Sequence, residues 1–326
     1  MRSIDRREWF GAALGAAALA RTAAAAPAKK ALVSITLDLE MSRNFPTWEM
    51  THWDYEKGNL DDDTKKYAVE AARRVKKAGG VLHFFAVGRV FEQTDVGWLA
   101  EIAKAGHPVG NHTYDHVNVT AAKLEDLQFR FQRAPWLLRG QTVEEAIRDN
   151  VELCTKAMKK RLGIAPAGFR TPGGFADGLR AHPRIRAILK ELGFDWASSL
   201  YPPHPAPVAN REPDEEFLKG LVAAMSKAQP FAYPGGLIEV PMSPISDIGA
   251  FRTGRWKLEW FLRAVRRCVE WTIERGAVFD FLGHPSCLHV VDPEFKTVDL
   301  ICDLVRRAGD RAAIVDLGTL AKRATE

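Results

Sequence analysis

The sequence alternates short apolar segments with longer amphipathic ones, and this alternation constrains the fold more than any other feature. The apolar segments are rich in residues that favour β-strands, and they are residues 31–37, 80–86, 107–110, 167–170, 194–198, 237–240, 278–283 and 313–317. The helical patterns between them are residues 62–78, 96–105, 143–162, 183–192, 256–275 and 294–308. Strands that alternate with helices indicate βαβ units and a parallel sheet. We therefore expect an α/β fold whose sheet is either closed as a barrel or open and doubly wound.

The chain is long enough to bury one large core, since 46% of its 326 residues are hydrophobic. This composition excludes disordered and fibrous proteins. The 46 basic and 41 acidic residues give a net charge of +5, and the basic residues form no block of the kind that binds a phosphate backbone. We therefore expect no nucleic-acid partner. Because no linker or internal repeat is visible, residues 29–326 are predicted to form one catalytic domain.

Residues 1–28 have the features of an export signal. The pair Arg6-Arg7 is followed by a weakly apolar, Ala-rich run from Trp9 to Ala20 and then by small residues at 26–28. This order resembles a twin-arginine signal, and the run is too short to be a stable membrane span. We expect the twin-arginine export machinery to carry the precursor, cleavage near residue 28 or 26, and a periplasmic or extracellular protein. The alternative is a disordered Ala-rich tail with a chance Arg pair.

The four cysteines are too few for a disulfide scaffold, and they show no C-x-x-C spacing. They are Cys154, Cys268, Cys287 and Cys302. The simplest interpretation is that they are buried apolar thiols. One bridge remains open as an alternative in an oxidising compartment.

Polar side chains follow several of the predicted strands at the point where each strand ends. They are Asp38 and Glu40 after the first strand, His112 and His116 after the third, Arg170 at the end of the fourth and His284 at the end of the seventh. Parallel α/β folds place their active sites at the carboxyl ends of their strands. The positions of these residues therefore predict an active site.

The H-x-x-x-H pair has a spacing that would put both imidazoles on one face of a helix, where they could bind one divalent ion. By itself the pair of His112 and His116 is weak support for a metal site, because solvated or capping histidines with this spacing are common. The neighbouring motifs D-L-E, G-F-R-T-P-G-G and G-H-P make a metal site the better interpretation.

Four ordered motifs, between about Leu32 and His284, resemble those of the polysaccharide deacetylase family, also called carbohydrate esterase family 4. The family's T-F-D-D-G appears as Thr36–Glu40, H-[ST]-x-x-H as His112–His116, R-x-P-x-G as Arg170–Gly174 and L-x-H as Leu282–His284. The first motif departs from the pattern: Leu39 stands where the family has a metal-binding aspartate, and Glu40 stands in place of glycine. Glutamate has a longer side chain that could reach the metal from this position.

The resemblance implies a distorted (β/α) barrel of seven or eight strands and an N-deacetylase that acts on an amino-sugar polysaccharide or oligosaccharide. It implies one divalent ion held by Glu40, His112 and His116. Zinc is the first candidate for that ion, with cobalt, nickel or manganese as alternatives.

Hydrolysis of an amide needs a base for the water and an acid for the departing nitrogen. Asp38 is predicted as the base and His284 as the acid, with Arg170 pairing to Asp38. Asp195 is predicted to orient His284, with Asp247 as the competing candidate.

The substrate side of the site is expected in two irregular segments, residues 41–60 and 201–236. The predicted substrate-binding residues are Trp48, Trp53, Pro172, Gly174 and Trp196. The aromatic side chains of the first segment could stack on sugar rings or form a satellite core.

Two rival functions remain open. The first is an amidase of small nitrogen compounds, allantoin-like substrates among them, on the same scaffold. The second is a carbohydrate-binding protein whose metal site has decayed, for which Leu39 is the best support.

Overall fold

The computed structural model describes residues 29–42 and 57–326. Trp48, Trp53 and the predicted export signal lie outside these residues. The described residues contain nine strands, which are β1 Ala31–Leu39, β2 Leu82–Ala86, β3 Val109–Asn111, β4 Phe169–Phe175, β5 Trp196–Leu200, β6 Phe231–Ala232, β7 Ile238–Glu239, β8 Val278–Gly283 and β9 Ala312–Ile314.

The strands form one curved sheet in the order β6-β7-β5-β4-β3-β2-β1-β8. All neighbouring strands are parallel except β6 and β7, and β9 pairs with the first residues of β1. Ser243, which follows β7, closes the sheet against β8: its N–H donates to the Asp280 carbonyl at 3.1 Å, and its hydroxyl accepts from the Asp280 N–H at 2.9 Å. The predicted fold class, a distorted (β/α) barrel, is confirmed.

Helices cover the outside of the barrel. The α-helices are α1 Asp62–Lys77, α2 Gly97–Lys104, α3 Phe129–Arg133, α4 Val143–Leu162, α5 Pro183–Glu191, α6 Glu215–Ala224, α7 Leu258–Arg275, α8 Pro285–Val291, α9 Lys296–Ala308 and α10 Leu317–Ala321. A π-helical turn covers Ile248–Thr253, and 3₁₀ turns include Gly88–Glu92, Leu124–Asp126 and Pro135–Leu138. None of the described helices is both long and apolar enough to cross a membrane.

Local sequence signals explain where the long helices begin and end. In α4, Thr142 and Glu145 form a reciprocal capping box, and the helix ends at Gly163, whose φ of 70° suits glycine. In α1, the Asp61 carboxylate accepts from the Thr64 N–H at 2.8 Å. These caps lie where the sequence predicts helix boundaries.

The strands most buried in the barrel carry the longest apolar runs. In β1, alternate residues from Ala31 to Leu39 are fully buried among the helices, as a parallel strand covered on both faces requires. The four cysteines are also buried and unbridged, which agrees with their interpretation as apolar thiols.

One predicted loop is partly helical. The segment 201–236 was expected to be irregular, but it contains α6 and the short strand β6. Asp214 caps α6, accepting from the Phe217 N–H at 2.8 Å. The prolines early in this segment obscured the helical pattern behind them.

Candidate active site

The end of β1 presents two carboxylates to a cavity at the carboxyl edge of the barrel. Asp38 and Glu40 both line this cavity, whereas Leu39 lies in the hydrophobic core and is fully buried. Successive side chains of a strand point to opposite faces. A carboxylate at position 40 is therefore on the same face as Asp38, and the leucine at position 39 leaves that face unchanged.

The two histidines reach the same cavity from a loop after β3, and not from a helix as the spacing predicted. Thr113 and His116 both have a φ of 58°, which no helix allows. The Asn111 side chain accepts from the Thr113 N–H at 2.8 Å, and the Thr113 hydroxyl accepts from the Val117 N–H at 3.0 Å. These two hydrogen bonds hold the turn that brings both imidazoles to one side.

Glu40, His112 and His116 form a group whose three ligand atoms lie within 4.8 Å of one another. Glu40 Oε2 is 2.5 Å from His116 Nε2 and 3.5 Å from His112 Nε2. This oxygen is buried and receives no well-aligned hydrogen bond. One carboxylate oxygen and two imidazole nitrogens facing a common point fit a divalent transition ion.

The protonation states of the group also fit a metal. His112 Nδ1 is 2.9 Å from the Arg170 carbonyl oxygen, to which the Nδ1–H donates, so Nε2 is left as the ligand atom. Burial lowers the pKa of His116 to about 4. Burial alone would raise the pKa of Glu40, but His116 and Lys57 together hold it well below its usual value. Metal ligands must be deprotonated, and the pKa shifts of His116 and Glu40 both favour that state.

Arg170, at the start of β4, is fully buried beneath the cavity floor. Its Nη1 donates to Asp38 Oδ1 at 3.1 Å and to the Thr36 hydroxyl at 2.7 Å, while its Nη2 donates to Asp280 Oδ2 at 2.5 Å. The guanidinium also lies 4.4 Å from the centre of the Phe85 ring. Arg170 therefore holds Asp38 from behind and is not part of the cavity wall.

Asp280 is a site residue that the sequence reasoning missed. Burial raises the pKa of its carboxyl to about 6, despite the contact with Arg170. The available signal was a single acidic residue within the otherwise apolar β8 segment VFDFLG, since a charge in a buried strand needs a partner.

His284, directly after β8, is oriented by Asp247. The Nδ1 atom of His284 is 2.9 Å from Asp247 Oδ1, and the main-chain N–H of His284 donates to Asp247 Oδ2 at 2.7 Å. Nε2 therefore faces the carboxylates, 3.7 Å from Glu40 Oε1 and 4.0 Å from Asp38 Oδ2. Burial alone would lower the pKa of His284, but the Asp247 carboxylate raises it above its usual value.

The prediction that Asp195 orients His284 is wrong. The Asp195 side chain is 85% exposed and pairs with Lys190 at 2.9 Å on the outside of the barrel. The competing candidate Asp247 is the residue in contact with the histidine.

The hydroxyl of Ser286, two residues after His284, connects the segment that carries Glu40 to the segment that carries His284. It donates to the Glu40 carbonyl at 2.7 Å and accepts from the Ser42 N–H at 2.9 Å. The end of β1 and the segment that carries His284 are therefore fixed to each other.

The cavity has a volume of about 440 Å³. Of the predicted substrate-binding residues, Gly174 lines it, whereas Pro172 is buried outside its wall. A side chain at Gly174 would meet Tyr201 Cβ at 2.5 Å, so glycine allows the β4 segment to pack against Tyr201. Several lining residues were not predicted: Lys57, Gln128, Phe129, Gln132, Tyr201, Met242, Ser246 and Arg252. They lie in loops or short elements that carry no recognisable motif.

Trp196 was expected to contact substrate, and this expectation is wrong. It is buried in a separate cluster, with its ring edge-on to Phe85 at 6.1 Å and to His83 at 5.6 Å. Its indole packs so closely over Gly168 that an added Cβ there would lie 2.0 Å from the ring. Trp196 is a core residue of the barrel.

Comparisons with known proteins agree with this geometry. Residues 59–197 match the family model described as polysaccharide deacetylase. No curated protein sequence matches the chain.

Three solved structures share the fold. A Mycobacterium smegmatis protein assigned as a polysaccharide deacetylase has 16% identity, with 92% of each chain covered and a TM-score of 0.59. Puue allantoinase has 12% identity, with 90% of this chain and 89% of that chain covered and a TM-score of 0.58. A Pseudomonas aeruginosa PAO1 protein assigned as a polysaccharide deacetylase has 12% identity, with 90% of each chain covered and a TM-score of 0.55.

The matched region contains the histidine pair and Arg170, whereas Asp38, Glu40 and His284 lie outside it. Residues 59–197 therefore resemble a polysaccharide deacetylase domain, and this match together with the shared fold indicates a deacetylase-type hydrolase that acts on carbon–nitrogen bonds.

Proposed function

We propose that the protein removes N-acetyl groups from an amino-sugar polysaccharide or oligosaccharide, with one divalent ion held by Glu40, His112 and His116. The observation that carries the proposal is the convergence of this ligand group with Asp38 and His284 in one cavity. Zinc is the first candidate for the ion, and cobalt, nickel and manganese accept the same ligands. When bound, such an ion acidifies a water molecule and polarises an amide carbonyl.

Asp38 is the proposed general base. Its Oδ1 accepts a hydrogen bond from the Arg170 guanidinium, which fixes the orientation of the carboxylate. Its Oδ2 faces His112 Nε2 at 3.8 Å. A carboxylate in this position can take the proton of a water molecule that attacks an acetamido carbonyl.

His284 is the proposed general acid. Asp247 accepts the Nδ1–H and raises the pKa of the imidazole, which favours a proton on Nε2, the nitrogen that faces the cavity. The amine of an acetamido sugar leaves only when it is protonated, and Nε2–H can donate that proton. Asp247 is the positioning residue for this step.

A carbohydrate is the proposed substrate because of the composition of the cavity wall. Phe129 and Tyr201 offer ring surface, and Gln132 offers an amide group, a mixture that suits the apolar faces and hydroxyl edges of a sugar. Gly173 and Gly174 in the cavity wall are both exposed, and neither has a side chain that would narrow the cavity there.

Residues 1–28 are proposed to be a twin-arginine export signal, which the export machinery reads before cleavage. The support is the sequence order of an Arg pair, a weakly apolar run and small residues. A periplasmic or extracellular location would give a deacetylase access to cell-surface or external glycans.

Metal analysis combined with a substrate screen tests the proposal. The purified protein should contain one equivalent of a divalent ion, and the His112→Ala/His116→Ala variant should contain none. His182→Ala, which changes a histidine outside the cavity, is the matched control. The protein should release acetate from N-acetylated glycans, and Asp38→Asn should keep the metal but lose most turnover.

The same screen includes small cyclic and linear amides. Turnover of these amides with no release of acetate from any glycan would replace the proposed substrate by a small nitrogen compound. Glycan binding with neither metal nor turnover would instead identify a carbohydrate-binding protein.

A further inference from the structure

Lys57 is a buried cation beside the ligand group that belongs to none of the sequence motifs. It is 5% exposed and lines the cavity. Its Nζ donates to Glu40 Oε1 at 2.8 Å, to the Ser42 hydroxyl at 3.1 Å and to the Met41 carbonyl at 3.2 Å. Each of these partners is a hydrogen-bond acceptor, as the N–H donors of an ammonium group require, and the contact with Glu40 is an ion pair.

The two oxygens of Glu40 have different partners. Oε1 accepts from the Lys57 ammonium and from the Ser42 hydroxyl. Oε2 faces the two imidazoles and is the ligand atom of the proposed metal site. One carboxylate therefore lies between a fixed cation and the place where a second, divalent cation would be held.

We propose that Lys57 is a positioning residue that partly neutralises the carboxylate of Glu40. The ion held by Glu40, His112 and His116 is then bound more weakly, but it is a stronger Lewis acid. This inference rests on the metal site of the proposed function. Its physical basis is the repulsion between like charges in a poorly solvated site, which is much stronger than in water. A less neutralised ion polarises a carbonyl more strongly.

Substitutions of Lys57 and Ser42 distinguish the effect of the Lys57 charge from the effect of orienting the Glu40 carboxylate. When Lys57 is replaced by methionine, the Ser42 hydroxyl can still donate to Oε1 and keep Oε2 aimed at the imidazoles. When Ser42 is replaced by alanine, the cation remains but one orienting hydrogen bond is lost. The two variants should therefore change metal affinity in opposite directions.

The experiment measures the affinity of the purified, metal-free protein for Co²⁺ and Zn²⁺ by competition with a chromophoric chelator. Lys57→Met should bind both ions at least about tenfold more tightly than the wild type, because a like charge one carboxylate away has been removed. Ser42→Ala should bind them more weakly, as loss of a hydrogen bond to a ligand usually causes. Lys57→Arg keeps the charge and should resemble the wild type.

Lys66→Met is the matched control, because this residue is on α1 and its side chain is 76% exposed. It makes the same substitution and the same change in net charge away from the site, and it should leave the affinity unchanged. A purely structural role for Lys57 predicts weaker binding after its removal, which is the opposite sign.

Folding of each variant is checked by circular dichroism, because Lys57→Met leaves a buried carboxylate without its cation. If that variant folds only with metal present, the rise in melting temperature on adding Co²⁺ becomes the measurement, and it should exceed the wild-type rise. If Lys57→Met binds the ions no more tightly than the wild type, or shows a smaller rise in melting temperature, the inference about Lys57 is wrong. The metal site of the proposed function is not affected by that result. A wild type that binds no ion overturns the metal site of the proposed function together with this inference.

Discussion

Replacing Asp247 by Asn should move the alkaline limb of the pH–rate profile to lower pH. The proposed acid His284 must carry a proton on Nε2 when the amine leaves, so activity falls as pH rises through the pKa of its imidazole. Asp247 contacts this imidazole at 2.9 Å and raises that pKa above 6.5. Asn has nearly the same shape and can still accept the Nδ1–H bond, but it carries no charge.

The size of the shift follows from the contact. An opposite charge within hydrogen-bonding distance changes a pKa by about 1–3 units, and each unit corresponds to about 1.4 kcal/mol. Burial lowers the pKa of His284 and is unchanged by the substitution. The alkaline limb should therefore fall by about 1–3 pH units in Asp247→Asn, and activity at pH 8 should fall more than activity at pH 6.

The assay is a pH profile of kcat/KM on an acetamido substrate and on an acetate ester. The ester serves as an internal comparison, because its alkoxide leaving group needs less protonation than an amine. Asp195→Asn is the matched control, since its side chain is 85% exposed on the barrel exterior. An unmoved alkaline limb in Asp247→Asn, or an equal shift in Asp195→Asn, would refute the assignment of Asp247.

The pair of His284 and Asp247 should also make folding stability depend on pH. The folded state raises the pKa of His284 above its unfolded value, so this contribution is fully present below the unfolded value and is lost as pH rises through the folded value. In Asp247→Asn the loss of melting temperature should be larger at pH 5 than at pH 9, and an equal loss at both values would contradict this linkage.

Three further predictions concern the site and export. Glu40→Gln should weaken metal affinity substantially, whereas Leu39→Ala should keep the metal and instead lower the free energy of unfolding by about 2–5 kcal/mol; equal metal binding by Glu40→Gln and the wild type would exclude Glu40 as a ligand. His284→Ala should slow amide hydrolysis by about 10²–10⁴-fold and ester hydrolysis much less, and equal losses would indicate that it positions the substrate. Replacing Arg6 and Arg7 by Lys should leave the precursor in the cytoplasm on cell fractionation, and normal processing would point to another signal or none.

The sequence predicted those site residues that end a strand within a contiguous motif. Asp38 and His284 are examples, because the carboxyl ends of parallel strands share one edge of the barrel. Arg170 belongs to a motif but lies at the start of β4, buried beneath the cavity. Glu40 was also predicted, from the resemblance and the length of its side chain, and the structure adds that alternation along β1 places position 40 on the face of Asp38.

The missed residues depend on contacts between distant parts of the chain. Asp247 meets a histidine 37 residues later, and no local pattern distinguished it from Asp195. Trp196 was predicted to contact the substrate, but its strand turns the indole into the core. The helical interpretation of the histidine pair failed because the Asn111 side chain stabilises a left-handed turn at Thr113.

Asp280 takes part both in closing the barrel and in holding Asp38 in place. Its main chain forms the hydrogen bonds with Ser243 that join the first and last parts of the sheet, and its side chain holds the guanidinium that aims Asp38. A local opening between Ser243 and Asp280 would therefore also disturb the ion pair between Asp280 and Arg170. Partial openings of this kind require less free energy than global unfolding, so on heating the enzyme should become inactive before its helices melt.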